Sequence, residues 1–313
     1  MSGVLVYSER PPLVLQNLTF VSSLGYPAAA AVLGPQGESW SEQYFNHGAE
    51  RVYCMDDPSL SGLQADVVSE ALYQIADLAE AEIVLVSSTL RGREVAGRLA
   101  QKLHAGCITD AAKLRAEEGQ WIATRYSLGG KTLSEQVLTS GRKVIAVNPN
   151  TFQAEPLASG VKGDVVEVAP RAAASPVRII EQKPKPDTGV NIESAEVIVC
   201  IGRGLESEDD LSMIQELADI VGGVVACTRP ISHDRHWLPE ERMVGISGKK
   251  ISPSLYFGIG VSGQIQQMAA VLDARVIVAI NNDRNAPIFQ NADYGIVGDL
   301  YKVIPDMIEK LSR

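Results

Sequence analysis

The sequence predicts an α/β protein of two domains, each built on a mainly parallel sheet, the C-terminal one doubly wound. Three observations carry that prediction. The chain has 313 residues with 45% hydrophobic content, enough material for two separate cores. Short apolar runs alternate with helical segments in both halves, and parallel strands need such crossover connections. Between the halves, APRAAASPVRIIEQKPKPDTG over 169–189 holds Pro170, Pro176, Pro184 and Pro186 with charges among them, which no single regular element accommodates.

Along the first half, strands are read at 4–7, 28–33, 51–54 and 83–86, with helices at 14–24, 40–46, 64–79 and 94–103. After Gly106 the rhythm changes: 113–116, 121–125 and 143–147 read as strands around a Glu118-Gly119 turn, which adds mixed or antiparallel pairing. The run 177–181 is expected to be the last strand of this domain and 183–189 the linker, giving domains 1–188 and 189–313. The second domain restarts with a strand at 196–201, a Gly202-Arg203-Gly204 turn, and a helix opened by Ser207-Glu208-Asp209-Asp210, where acidic residues favour the dipole. Gly222-Gly223 ends that helix and 224–227 forms the next strand.

The stretch from Gly245 to Leu300 reads as a nucleotide cradle. A buried strand at 255–259 runs into the turn Gly260-Val261-Ser262-Gly263, and Gln264-Ile265-Gln266-Gln267-Met268 opens a helix with free backbone N–H groups. Glycines admit an anion close to the backbone, and the N–H groups with the helix dipole favour negative charge. Strands at 275–280 and 294–297 then lead to Asn281 and Asp299, at strand ends that commonly grip ribose or base. The glycine spacing is not G-x-G-x-x-G, and such turns also serve packing alone. Arg203 and Arg229 follow the first two strands of this domain, where a doubly wound sheet has its crevice; a surface or ion-pair role is the alternative.

Three strings, GVSGQIQQ, AINNDRNAPIF and ADYGIVGDL, in that order and spacing, resemble the FAD-binding domain of the alpha subunit of electron transfer flavoprotein. The resemblance extends through Gly202-Arg203-Gly204 and Thr228-Arg229-Pro230, and more loosely through STLRGREVAGRLAQKL, so it covers nearly the whole chain. It implies FAD as cofactor, held mainly on the second domain, with Arg203 near it, Arg229 beside the isoalloxazine ring and Thr228 in contact. Val244, Gly245, Ile246 and Ser247 match the flavin-facing loop, Ser247 replacing the usual Thr and Ile246 standing where Gln is common. Ser262, Gly263, Gln264, Ile265, Gln266 and Gln267 match the loop and helical turn at the ribityl, pyrophosphate and pyrimidine edge. Asn281, Asp299 and Leu300 match the adenosine end.

Gln267 stands where many members carry His, so the resemblance implies weaker stabilisation of negative charge on the reduced flavin. It further implies a first domain that has lost its own ligand and serves as platform for a beta subunit. Electrons would come from a flavin dehydrogenase of the acyl-CoA type and leave to a quinone oxidoreductase or other redox acceptor, making the chain a carrier rather than an enzyme. The alternative is an NAD(P)-dependent oxidoreductase or transhydrogenase component using the same cradle; a third reading is a nucleotide-sensing module without redox chemistry.

Other classes are disfavoured by composition. Lys plus Arg is 28 against 38 Asp plus Glu, a net charge of −10 that argues against a nucleic-acid partner. Cys54, Cys107, Cys200 and Cys227 have neither disulfide-framework nor metal spacing and read as free thiols in a reducing compartment. His233 and His236 lie beside Trp237 without a third ligand nearby, so no metal is expected. No nucleophile elbow or paired-carboxylate pattern occurs, and Gly129-Gly130 reads as a turn. No leader pattern precedes the first strand and no apolar run reaches spanning length, so membrane insertion is not expected and a cytoplasmic location is.

Overall fold

The computed structural model describes residues 3–34, 37–60, 62, 64–128, 132–149, 151–157, 162–171, 175–177, 179–181 and 191–312. The chain divides into two compact units, one comprising residues 1–127 and 133–183, the other 128–132 and 184–313.

In the first unit the alternation gives β1 (Val4–Tyr7), α1 (Pro11–Ser23), β2 (Ala28–Leu33), α2 (Gly37–Asn46), β3 (Ala49–Met55), α3 (Ala65–Leu78), β4 (Ile83–Ser87) and α4 (Leu90–Leu103). Then come β5 (Gly106–Glu117), β6 (Gln120–Ser127), β7 (Thr132–Val137), β8 (Lys143–Val147) and β9 (Asp164–Glu167). They form one nine-stranded sheet in the order β7-β6-β5-β8-β4-β1-β2-β3-β9. Strands β1 and β4 are buried along their whole length because helices cover both faces. Val14, Leu18 and Val21 of α1 and Tyr44 and Phe45 of α2 pack on one face. Residues such as Leu72 and Ile75 of α3 and Val95 and Leu99 of α4 pack on the other.

The antiparallel addition is present: β5 pairs β6 antiparallel, through a turn with Glu118 at φ 50° and Gly119 at φ 79°. The strand expected at 177–181 is not. None of the described residues there is in a strand, and Ile180 is 95% exposed. The free edge of β3 is taken instead by the shorter, more charged β9, in parallel register from Arg51 opposite Asp164. An apolar run after Pro176 looks like a strand locally, but a strand exists only where an edge is open to it. The linker reading at 183–189 and the Gly129-Gly130 turn lie outside the described residues. Strand β7 was not anticipated.

The second unit holds β10 (Val197–Ile201), α5 (Leu211–Ile220), β11 (Val224–Cys227), β12 (Leu255–Ile259), α6 (Ile265–Met268), β13 (Ile277–Asn281), β14 (Tyr294–Val297) and α7 (Leu300–Leu311). All five strands are parallel, in the order β11-β10-β12-β13-β14. The chain winds outward from β10 to β11 and then returns to β12 on the other side. The sheet is thus doubly wound, with its switch point between β10 and β12. A capping box between Ser207 and Asp210 starts the single 3₁₀ turn that leads into α5, and Gly222 at φ 64° closes it. Helices α5 and α7 cover one face through Ile214, Leu217 and Ile304. Helix α7 was not among the elements read from the sequence; it holds Pro305 inside it, and burial of Leu300 and Ile304 outweighs the hydrogen bond that the proline removes.

Candidate functional site

The carboxyl ends of the five parallel strands meet at one place, and glycines let them. The turn after β10 lies against the turn after β12, with Gly202 N–H donating to Ile259 O at 3.0 Å and Gly204 N–H to Gly260 O at 3.1 Å. A Cβ on Gly204 would stand 2.7 Å from the Gly260 Cα, so both positions need glycine for contact of backbone on backbone. Gly263, at φ 77°, packs as closely: an added Cβ would lie 2.4 Å from the backbone N and Cα of Ile288.

Between β11 and β12 a long loop folds back over the same end of the sheet. Val244 N–H donates to Cys227 O at 2.8 Å, and Ile246 N–H to Gln266 O at 3.0 Å, so the loop is stitched to both β11 and α6. Thr228 is tied through its N–H to Ile201 O at 2.9 Å. On the far side the Asn281 side chain donates to Val261 O at 2.9 Å, and Asp299 caps α7 by accepting from Tyr301 N–H at 3.0 Å.

These turns enclose a cavity of about 760 Å³. Of the residues singled out in the sequence, Arg203, Thr228, Arg229, Val244, Gly245, Ile246, Ser247, Ser262, Gly263, Gln264, Gln266, Gln267, Asn281, Asp299 and Leu300 all line it. Ile265 does not, and is 45% exposed. Successive helical residues turn by about 100°, so as Gln264, Gln266 and Gln267 face the cavity Ile265 points away. Sequence reasoning passed over Glu206, Asn282 and Tyr301, which also line the wall. Tyr301 joins separated segments: its hydroxyl accepts from Glu206 N–H at 2.8 Å and donates to Asp210 at 2.6 Å. No local signal marks that residue, because the partner lies more than ninety positions away.

Arg203 and Arg229 are exposed at the cavity, and neither forms an ion pair with a described residue, so their charge is free for an anion. Gln267 is buried; its Nε2 donates to Tyr256 Oη at 2.5 Å and its Oε1 has no partner. A buried acceptor left unpaired costs about 1 to 3 kcal/mol. His233 faces Glu240 at 3.5 Å, and no cluster suited to a metal occurs among the described residues.

Comparison with known proteins decides the family. Residues 191–272 match the electron transfer flavoprotein FAD-binding domain, and residues 14–173 the electron transfer flavoprotein domain. A putative electron transfer flavoprotein subunit, YdiR of Escherichia coli, is 38% identical over 319 residues, spanning 100% of this chain and 99% of its own length. The electron transfer flavoprotein subunit alpha of Syntrophomonas wolfei is 32% identical, with 100% of both chains covered. Protein FixB of Salmonella typhimurium is 31% identical over 100% of this chain and 99% of its own. The chain belongs to the electron transfer flavoprotein alpha-subunit family. Its cofactor is FAD, by the FAD-binding domain it carries.

The residues of this family member fit that cofactor. The cavity of about 760 Å³ falls within the about 300 to 1,000 Å³ usual for such sites. Its glycine turns give the close backbone approach a pyrophosphate needs, two guanidinium groups without ion-pair partners among the described residues offer countercharge, and Gln267 Oε1 is a buried polar atom without a partner among them. The electron transfer flavoprotein family implies an electron carrier rather than a substrate-converting enzyme, and its alpha subunits imply a beta partner.

Proposed function

We propose that this chain is the FAD-holding alpha subunit of a heterodimeric electron carrier, taking electrons from a flavin dehydrogenase of the acyl-CoA type and delivering them to a quinone oxidoreductase or another redox acceptor. Residues 189–313 are the FAD-binding domain and residues 1–188 the platform for the beta subunit. The observation that carries this reading is the cavity at the switch point of the second sheet, walled by glycine turns and two arginines without ion-pair partners among the described residues.

FAD, when bound, supplies the electron-transfer chemistry. The protein's part is to bind, orient and tune. Arg203 and Arg229 place positive charge where reduction would add negative charge. Thr228 and Ser247 offer hydroxyls from the loop over the sheet, and the N–H groups following Gly263 would hold the phosphates of FAD. Asn281 and Asp299 would hold its adenosine end. Among the described residues no helix is long and apolar enough to cross a membrane.

The test is purification of the chain co-expressed with its beta subunit. The expected result is a yellow complex with a flavin absorption band, releasing FAD on denaturation and bleached by an acyl-CoA dehydrogenase with its substrate. A colourless complex that binds NADH instead would overturn the reading in favour of a pyridine-nucleotide oxidoreductase.

A further inference from the structure

The cavity's first arginine stands on a turn that its own sequence leaves loose. Arg203 lies between Gly202 and Gly204, and neither glycine has a side chain to anchor the loop on a neighbour. Upstream, the bonds from Gly202 N–H and Gly204 N–H hold the turn to the end of β12. Downstream, the next two residues are gripped from two other segments. Leu205, itself buried, presents its backbone oxygen to Arg235, whose Nη1 donates to it. The same guanidinium lies over the Trp237 ring, 4.4 Å from its centroid. Glu206 N–H donates to Tyr301 Oη at 2.8 Å, and the phenol proton goes to Asp210 Oδ2 at 2.6 Å. An ionised carboxylate only accepts, so the sense of this bridge is fixed.

We infer that Arg235 and Tyr301 are positioning residues, which together set where the Arg203 guanidinium stands in the cavity. The inference rests on the FAD reading only in taking the ligand to be an anionic dinucleotide, and it assigns no part of that ligand to any part of the wall. Arg235 comes from the loop between β11 and β12 that also carries Arg229, and Tyr301 from the first turn of α7. Each has its own anchor. Arg235 N–H donates to Pro230 O and Trp237 N–H to Ile231 O, both at 3.1 Å, with His236 at φ 56° between them. Trp237 packs on the cluster that holds Ile201 and Cys227, and Asp210, which receives the Tyr301 proton, also accepts from Ser207 N–H at 3.0 Å. Arg203 itself is exposed and forms no ion pair with a described residue, so its place is set by this scaffold. A cation on an unheld loop would have to be ordered by the ligand at a cost in affinity; one already held does not.

The experiment is titration of the flavin-free complex of the full-length chain with FAD, followed by quenching of flavin fluorescence, in about 0.02 M and about 0.5 M salt. Tyr301→Phe removes the bridge without changing charge, and Arg235→Met keeps an unbranched stem over Trp237 while removing the donor. Tyr301→Phe should bind FAD about threefold to tenfold more weakly at low salt and within about twofold of wild type at high salt, because what it loses is the screened attraction of a displaced Arg203. Both Tyr301→Phe and Arg235→Met should cost about twofold or less when added to Arg203→Ala, since the group they position is then gone. Each variant decides by itself should the other fail to fold. A merely structural role, or direct contact of either side chain with the ligand, would weaken binding by the same factor with and without Arg203. That result, or unchanged FAD binding by the variants at low salt, would overturn the proposal. Failure of wild type to bind FAD at either salt would overturn the cofactor reading beneath it.

Discussion

At position 267 a neutral amide occupies a nearly closed wall, and the consequences of that one side chain are electrostatic. An imidazolium there would place positive charge beside a group that becomes negative on reduction, whereas the amide offers only a dipole. A charged hydrogen bond exceeds a neutral one by roughly 1 to 2 kcal/mol. Gln267→His should therefore raise the first reduction potential of the bound flavin by about 40 to 90 mV, read by potentiometric titration in the visible spectrum. An unchanged potential would show that charge at this site does not reach the ring. The amide at 267 was legible from the sequence, because the string GVSGQIQQ marks it; its phenol partner was not. Tyr256 reads as one more apolar strand residue, and only the stacking of β12 over α6 shows what its hydroxyl meets.

At the scale of the element, the turn between β12 and α6 and the cap before α5 make opposite demands on sequence. Gly263 combines φ 77° with an added Cβ 2.4 Å from the backbone of Ile288, so neither dihedral nor space admits a side chain. Gly263→Ala should cost at least about 2 kcal/mol in chemical denaturation and abolish FAD binding, since the turn itself must move. Ser207→Ala should cost only about 1 kcal/mol, through loss of the capping box, and leave FAD affinity intact because Ser207 does not line the cavity. Equal loss of FAD affinity in both would mean that general stability, and not the turn, governs binding. The strand-turn-helix order of this element was readable in residues 255–268. That the described residues of 177–181 form no strand was not, because their hydrophobic run carries no record of which sheet edges β9 has already filled.

For the whole molecule, the titration of buried groups sets the pH range of the fold. Burial raises the Cys227 thiol to about 12, although hydrogen bonding to Ser232 and the charge of Arg242 oppose it. Cys200, Tyr7, Tyr44 and Tyr256 are raised as well, each chiefly by burial. In the unfolded chain thiols ionise near about 8.5 and phenols near about 10. Because the folded values are the higher ones, their stabilisation is complete below about pH 8.5 and is lost progressively as pH rises from there. The melting temperature followed by circular dichroism should thus be level from neutrality to about pH 8.5 and fall toward pH 10 and above. A level or rising melting temperature across that upper range would contradict the burial of these groups.

The alternation of most strands and helices, the mainly parallel character of both sheets and the glycine turns of the cradle were determined by the sequence alone. Each depends on local periodicity and on backbone conformations that few residues tolerate. The strand order β11-β10-β12-β13-β14, the edge given to β9, the place of Tyr301 between two segments and the bond from Gln267 to Tyr256 were decided only by tertiary structure. Pairing among distant segments turns on competition for edges, space and protons, and no single stretch of chain encodes the outcome of that competition.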